Sequence, residues 1–449
     1  MPQKPAPSHN PPGIVKKVTQ WFPEVDSQVW ILALGRLLSQ IGTGFTLFYA
    51  PIFFVNQVGL SATAVGIGLG SAQVSGILGR FLGGSLSDAP AWGRRRTLLL
   101  SALISAISRG VLAISTNFGT VVLGNLLAGL GIGLYWPATE VVVADLTSGE
   151  QRNQAYALTR LGDNIGLQVG IILAGILIAT TGAYRALFVV DAISFLVFFA
   201  VIYQFISESG QSTTTEMEAI DPDQNAAPAA TISQSWRKAL SDRVLLIYVG
   251  VNIIFTLYIS QIHATIPLYF SNGLNPGFSS QVLSGLFTWH VAVSVIALLP
   301  LAKVLSRLSH AQILMVSAIF WGVGFGCIGL MGILGGRSLA FAILSLAILA
   351  LATVSYAPAA SSLVADLAPA SLRGVYLAIN AQCWAIGYLM GPPLGGWVLD
   401  QSPQMADQFW FYLAASVIVV IGILQVLDRM IKDRQFVEQK GNLWESKQN

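Results

Sequence analysis

Charged side chains inside long apolar stretches are the residues of this sequence with the clearest potential for chemistry. Seven of them occur in the first half of the chain: Arg36, Arg80, Arg109, Glu140, Arg160, Asp163 and Asp191. A charge at the centre of a lipid bilayer costs roughly 2.5–3.5 kcal/mol on insertion scales, so such a side chain normally faces a cavity or a partner. We interpret five of the seven as an intramembrane charge network: Arg36, Arg80, Glu140, Arg160 and Asp163.

The second half has no carboxylate in the middle of an apolar stretch, but it has His263 and His290. Imidazole titrates near neutral pH, which suits a proton site. The alternative is that His263 is a hydrogen-bonded packing residue. This asymmetry indicates that any function that requires charged groups inside the membrane belongs to the first half.

One apolar segment, near residues 155–181, carries both regularly spaced polar residues and regularly spaced glycines. Every fourth position is polar: Arg160, Asn164 and Gln168. Glycine recurs at the same interval, two residues out of phase: Gly162, Gly166 and Gly170. On a helix, these stripes lie on roughly opposite faces, so one face can line a cavity while the other packs closely. Alternatively, Arg160 and Asp163 pair with each other or with Glu140 as scaffold.

Further polar positions at three- and four-residue steps mark two other segments, near Arg36 and near Asn252. With aromatic residues that could stack on a ligand, they give a set of candidates for the substrate or proton path: Gln40, Trp136, Asn164, Gln168, Asn252, His263 and Tyr356. At an aromatic content of 10%, Trp136 and Tyr356 could equally be packing residues or interface anchors.

The composition defines the elements that must position these residues. Of 449 residues, 54% are hydrophobic and 10% charged, with a mean hydropathy of +0.66, whereas a soluble domain carries about 25% charge. A membrane-spanning helix needs about 20 apolar residues. Twelve such runs occur, near residues 28–54, 62–86, 97–115, 119–142, 155–181, 185–206, 243–270, 279–305, 311–334, 338–362, 374–399 and 406–428. The sequence therefore predicts an all-α integral membrane protein.

Polar segments divide these runs into two groups of six. We predict an N-terminal segment at 1–27 without a cleavable signal peptide, a six-helix bundle at 28–206, a linker at 207–242, a second bundle at 243–428 and a tail at 429–449. With the N-terminus inside, 18 of the 24 Lys and Arg residues lie in inner segments and two in outer loops. This bias predicts that both termini are cytoplasmic.

The two groups of six are related by an internal repeat. At an offset of 221 residues, a Pro-Ala segment ending in Val-Ala-Asp-Leu recurs, at 137–146 and 358–367. Arg152 then matches Arg373, and several glycines match at the same offset. Such a repeat predicts two six-helix bundles related by an axis along the membrane normal.

At these residues the chain resembles the major facilitator superfamily. The loop between the second and third runs is similar to the family pattern Gly-x-Leu-x-Asp-Arg-x-Gly-Arg-Arg, although it is two residues longer and lacks the Arg after the Asp. In the family this loop braces the two halves and influences switching. The resemblance implies the same gating role here for Gly84, Asp88, Gly93, Arg94, Arg95 and Arg96; the alternative is a topology signal alone.

The resemblance is closest to the drug:proton antiporters, whose motifs are displaced or incomplete here. The fourth run keeps the glycine spacing of the antiporter pattern but has Asn125 in place of its Arg. The Gly-Pro signature of the fifth run is complete only in the eleventh. Glycine at every fourth position permits close helix approach, which gives a set of expected packing residues: Gly166, Gly170, Gly387, Gly391 and Pro392.

These features predict a secondary transporter working by alternating access, with proton-coupled efflux of apolar or amphipathic molecules as the leading interpretation. The alternatives are an uptake or exchange permease for a metabolite, and a membrane enzyme or receptor. No nucleophile motif, metal-ligand cluster or phosphate-binding loop is evident, so we expect no enzyme activity, cofactor or metal. We expect a monomer in the plasma (inner) membrane, with a small-molecule substrate, protons and lipid as partners and no nucleic acid.

Overall fold

The computed structural model describes residues 26–89, 91–147, 149–206, 232–334, 338–369 and 372–448. These residues form helices and short turns, without a β-strand among them. The first half contains α1 (Ser27–Leu47), α2 (Ala62–Asp88), α3 (Arg94–Ala113), α4 (Phe118–Asp145), α5 (Gly149–Thr181) and α6 (Tyr184–Phe205). A short helix, Ala50–Asn56, continues α1 after a break at Phe48 and Tyr49.

The second half repeats this series. It contains α7 (Arg243–His263), α8 (Ser280–Leu305), α9 (His310–Leu334), α10 (Ser338–Leu367), α11 (Arg373–Leu399) and α12 (Pro403–Gln448). A short helix, Thr265–Leu268, and a π-helical turn, Tyr269–Gly273, continue α7. Most of the predicted N-terminal segment and linker lies outside the described residues, except for a short helix at Ile232–Ala239.

Eleven helical segments of the described chain are long and apolar enough to cross a bilayer. The twelfth predicted span is α11, which has 27 residues and is therefore about 40 Å long at 1.5 Å per residue. Its Asn380, Gln382 and two prolines lower its hydropathy. α12 runs past the predicted end at 428, where Lys432 bonds Asp428 one turn earlier at 2.6 Å and supports the helix.

The packing of the helices shows the repeat directly. In the first half α1 packs on α5 and α6, α4 on α2 and α3, and α3 on α6. Adding six to each number gives the pairs of the second half: α7 with α11 and α12, α10 with α8 and α9, and α9 with α12. The chain is thus two six-helix bundles with the same internal arrangement, which confirms the predicted fold class.

The two bundles meet through α2 with α11 and through α5 with α8. We call the end of the bundles at Phe205 and Arg243 the linker end, and the opposite end the far end. The hydrogen bonds found between the halves link residues at the far end. These hydrogen bonds therefore hold the two halves together at that end.

Candidate functional site

A buried ion pair joins α1 to α5 in the first half. Arg36 Nε donates to Asp163 Oδ1 at 2.9 Å, and Arg36 Nη2 donates to Asp163 Oδ2. The Arg36 side chain is fully buried, and its guanidinium carbon lies 5.5 Å from the ring centroids of both Tyr135 and Trp136 on α4. Removing one partner would leave an uncompensated buried charge, so the pair holds α1, α4 and α5 in one arrangement.

A second ion pair lies nearer the linker end of the same half. Glu140 Oε1 on α4 and Arg160 Nη2 on α5 are 3.9 Å apart, and their side chains are 34% and 68% exposed. Asn164 Nδ2 donates to the Arg160 carbonyl at 2.8 Å, while Gln168 Oε1 is buried without a donor. Of the alternatives left by the sequence, Arg160 pairs with Glu140, and Asp163 pairs with neither of them.

Arg80 on α2 differs from these arginines because it has no polar partner among the described residues. It is half-buried, and its Nη1 is shielded from solvent without a hydrogen-bond acceptor. Among the described residues its side chain has neither a hydrogen bond nor an ion pair. Glu140, with which the sequence groups it, is bound to Arg160 instead.

The remaining intramembrane charges form a third pair at the far end of the first half. Arg109 Nε on α3 lies 2.7 Å from Asp191 Oδ2 on α6, and Thr46 donates to the same oxygen at 3.0 Å. Arg185, six residues before Asp191 on the same helix, donates instead to the Ala113 carbonyl at 2.5 Å. Both side chains of this ion pair are buried.

The glycine stripes lie against neighbouring helices. A Cβ on Gly166 or Gly170 would lie 2.3 or 2.0 Å from carbonyl oxygens of α1. In the second half Gly387 and Gly391 face α7 in the same way, at Thr256 and Ser260. The interval of four residues therefore brings α5 onto α1, and α11 onto α7, at distances that a side chain would prevent.

Two of the expected path residues of the second half form a buried neutral cluster. Tyr356 Oη donates to Asn252 Oδ1 at 2.6 Å, and Asn252 Nδ2 donates to Asn380 Oδ1 at 2.8 Å. Tyr248 Oη donates to the same Asn380 oxygen at 2.8 Å. The sequence analysis did not identify Asn380 as a candidate. The available signal was a polar residue one helical turn before Trp384, on a span that is otherwise rich in glycine.

His263 lies at the far end, where the two halves meet. Its Nδ1 is 2.7 Å from Tyr388 Oη, and its ring packs edge-on against Phe48 of the first half with centroids 5.3 Å apart. The ring centroid of His290 lies 6.3 Å from that of the same phenyl ring. Its Nδ1 donates to the Leu346 carbonyl at 3.0 Å. Both histidines thus belong to the contact that closes the far end.

The loop between α2 and α3 lies at the linker end. Gly93 has a φ of 83°, in the left-handed region that favours glycine, and it turns the chain into α3. Its basic side chains make contacts with described residues of the first half: Arg94 pairs with Asp145, Arg95 donates to the Tyr203 carbonyl at 2.5 Å, and Arg96 donates to the Ala91 carbonyl at 2.8 Å. Asp88 is exposed and has no ion pair with described residues, and Gly84 borders open space.

The α2–α11 contact at the far end is made by backbone and by one carboxylate. A Cβ on Gly66 would lie 2.2 Å from the Pro392 carbonyl oxygen. Asp400, at the end of α11, accepts hydrogen bonds from the Ala62 and Thr63 amides at 2.9 and 2.8 Å and so caps α2 from the other half. Burial raises the pKa of the Asp400 carboxyl, but the hydrogen bonds from Thr63 and Ala62 outweigh this effect and hold its pKa below the ordinary value.

Beside the α5–α8 contact the halves are joined by hydroxyl and amide groups instead, and the first-half partners lie after α1, at the start of α6 and on α5. Tyr49 Oη donates to Ser284 Oγ at 3.3 Å, and Tyr184 Oη lies 3.1 Å from Ser280 Oγ. Gln281 Nε2 donates to the Ala179 carbonyl at 3.4 Å. Residue 179 is the repeat equivalent of Asp400, so the carboxylate cap has no counterpart on this side.

The family model of the Major Facilitator Superfamily matches this chain at residues 32–288 and 262–442. The chain belongs to the major facilitator superfamily. It is therefore a multi-pass membrane transporter of that superfamily, as the resemblance implied.

Relatives and solved structures of the superfamily agree with this assignment. The multidrug resistance protein MdtH of Salmonella arizonae is 24% identical over 399 residues, which cover 88% of this chain and 92% of the relative. MdtH of Aeromonas hydrophila is 25% identical over 412 residues, covering 89% and 93%. The fold is similar to that of a D-xylose–proton symporter (TM-score 0.68, 17% identity, 88% and 96% covered) and of the nucleoside transporter NupG (TM-score 0.69, 14% identity, 90% and 99% covered).

Proposed function

We propose that this superfamily member exports apolar or amphipathic small molecules by alternating access, in exchange for protons. The observation that carries the proposal is that the hydrogen bonds found between the halves lie at the far end. A path closed at one end and open at the other is one of the two states that alternating access requires, and rocking of the bundles about the central path would give the other.

We assign the linker end to the cytoplasm. The excess of Lys and Arg in the segments at this end supports the orientation, since positive loops stay inside. In this orientation the opening faces the cytoplasm, where an exporter loads its substrate. The relatives named multidrug resistance protein support export as the direction.

The Glu140–Arg160 pair is the proposed proton site. A carboxylate that is one-third exposed beside the opening can exchange protons with water, whereas Asp163 and Asp191 are buried against arginines. Protonation of Glu140 would release Arg160 and change the charge that lines the path. Gln40, Trp136, Asn164 and Gln168 line or border the same region of the first half, and we assign them to the substrate path.

Transport by inverted membrane vesicles tests the proposal. We expect an acid-inside pH gradient to drive uptake of a lipophilic dye, and a proton uncoupler to abolish it. Glu140→Gln is expected to lower gradient-driven accumulation at least about tenfold, because a single general acid–base group contributes on that scale or more. Asp433→Asn, which removes an exposed carboxylate of α12, is the matched control and should transport normally.

Other results would overturn the proposal in distinct ways. Dye movement against the proposed direction would identify an uptake permease. Gradient-driven transport that Glu140→Gln leaves intact would remove Glu140 from the coupling. Purified protein that moves no solute in liposomes, while it turns over a lipid, would indicate an enzyme.

A further inference from the structure

Arg80 leaves one positive charge without compensation inside the membrane part of the first half. Four arginines lie within the spans of this half, but only three carboxylates do. Each carboxylate is within 4 Å of a different arginine: Asp163 with Arg36, Asp191 with Arg109 and Glu140 with Arg160. The unpaired charge is therefore located at Arg80.

The face of α2 that carries Arg80 is the one that meets the second half. Gly66, Gln73 and Arg80 are spaced by seven residues, which is about two helical turns, so they lie on one face. At the far end this face contacts Pro392 of α11, through Gly66. Arg80 lies about 21 Å along the helix from that contact, toward the linker end.

Closure of the linker end would not supply a partner for Arg80. Antiparallel to α2, the register Gly66 with Pro392 and Gly70 with Leu389 brings Arg80 opposite the region of Ala378. α11 has no carboxylate between Arg373 and Leu399, and α7 and α8 have none either. The exposed Asp88, about 12 Å further along α2, makes no ion pair with Arg80 in the described chain.

We propose that Arg80 binds the oxyanion of a transported amphipathic ligand, such as a carboxylate or a sulfonate. A guanidinium with free N–H donors in a site of low dielectric is stabilised by an acceptor with negative charge, and its planar fork suits the two oxygens of such a group. One excess positive charge fits a monoanion. The inference rests on the proposed transport of amphipathic compounds and names the charge of the preferred ones.

Binding of a matched pair of aromatic ions to purified protein tests this assignment without depending on transport. The probes are 2-naphthalenesulfonate and 2-naphthyltrimethylammonium, measured by calorimetry in nanodiscs of phosphatidylcholine. We expect the sulfonate to bind more tightly, and Arg80→Gln to weaken it about 10–100-fold, as for loss of hydrogen bonds to a charged group. Affinity for the trimethylammonium probe should stay the same or rise.

Two variants control for charge and for folding. Arg80→Lys keeps the charge and should recover part of the sulfonate affinity. Arg185→Gln removes an arginine that also lacks a carboxylate partner but is saturated by backbone carbonyls, and it should leave the affinity unchanged. A correctly folded Arg80→Gln protein that binds the sulfonate as tightly as the wild type would overturn the proposal.

A lipid headgroup is the other source of an oxyanion. One further experiment distinguishes a bound lipid from a bound substrate. If Arg80 holds an anionic lipid, nanodiscs that contain phosphatidylglycerol will abolish sulfonate binding, and native mass spectrometry will detect a bound lipid that Arg80→Gln loses. That result would overturn the assignment to a transported ligand. Failure of vesicle transport with intact, Arg80-dependent sulfonate binding would instead count against the export function alone.

Discussion

The two halves have the same helix pairing, but they hold polar groups in the membrane in different ways. The first half uses three ion pairs between helices. The second half uses neutral hydrogen bonds, centred on Asn252, Tyr356 and Asn380, and keeps its carboxylates at helix ends, as at Asp242 and Asp400. The same arrangement of helices is therefore compatible with ion pairs in one half and with neutral hydrogen bonds in the other.

The strongest test of this comparison is removal of one partner from the Arg36–Asp163 pair. Asp163→Asn leaves the Arg36 guanidinium buried and uncompensated, which is expected to lower the free energy of unfolding by about 3–5 kcal/mol. Unfolding in mixed micelles by titration with SDS measures the change. The double variant Arg36→Gln with Asp163→Asn should recover most of the loss, and an equal loss in both proteins would contradict the account.

A smaller effect is expected from the corresponding deletion in the second half. Tyr356→Phe removes the hydroxyl that donates to Asn252, and it should lower the free energy of unfolding by about 1 kcal/mol. The same titration applies, with Tyr412→Phe on the exposed face of α12 as the control. A loss as large as that of Asp163→Asn would mean that the halves do not differ in this respect.

The smallest effect concerns acid and the cap made by Asp400. Because the pKa of Asp400 is held below its ordinary value, the cap contributes fully above pH ~4 and is lost as the pH falls through the lowered pKa. We therefore expect the far-end contact to be unchanged between pH 7 and 5, and to weaken below about pH 4. Spin labels at Ser85 and Leu377, at the linker ends of α2 and α11, report the closure by their distance distribution.

The behaviour of Asp400→Asn completes this test. The variant should show at neutral pH the distance distribution that the parent shows in acid, with a larger closed fraction at the linker end. A parent distribution that changes between pH 7 and 5 while the variant does not would assign proton sensing to Asp400 rather than to Glu140.

The sequence was sufficient for the architecture because each span is encoded locally. Length and apolarity mark a span without reference to any other, and the repeat at one offset relates the halves. Even α11 was predicted as a span. It is the least apolar of them because glycines and prolines interrupt it, but the run is otherwise suitable in length and apolarity. The glycine stripe of α5 likewise indicated a closely packed face before its neighbour was known.

Partners across the fold could not be predicted in the same way. Arg36 and Asp163 are separated by 127 residues, and the choice between Arg36 and Arg160 as partner depends on where α1 meets α5. Closeness along the chain does not identify a partner either, since Arg185, six residues before Asp191, donates to backbone carbonyls. That Arg80 has no partner is visible only after the other carboxylates have been assigned.

The contact between Gly66 and the Pro392 carbonyl limits how this chain can diverge in evolution. When two side chains touch, a change in one can be compensated by a change in the other. Here two backbones touch, and a Cβ at residue 66 would lie 2.2 Å from the carbonyl oxygen, so no second substitution restores the fit. A side chain at residue 66 would therefore force the backbones of α2 and α11 apart, whereas a change of charge elsewhere in either half leaves this contact in place.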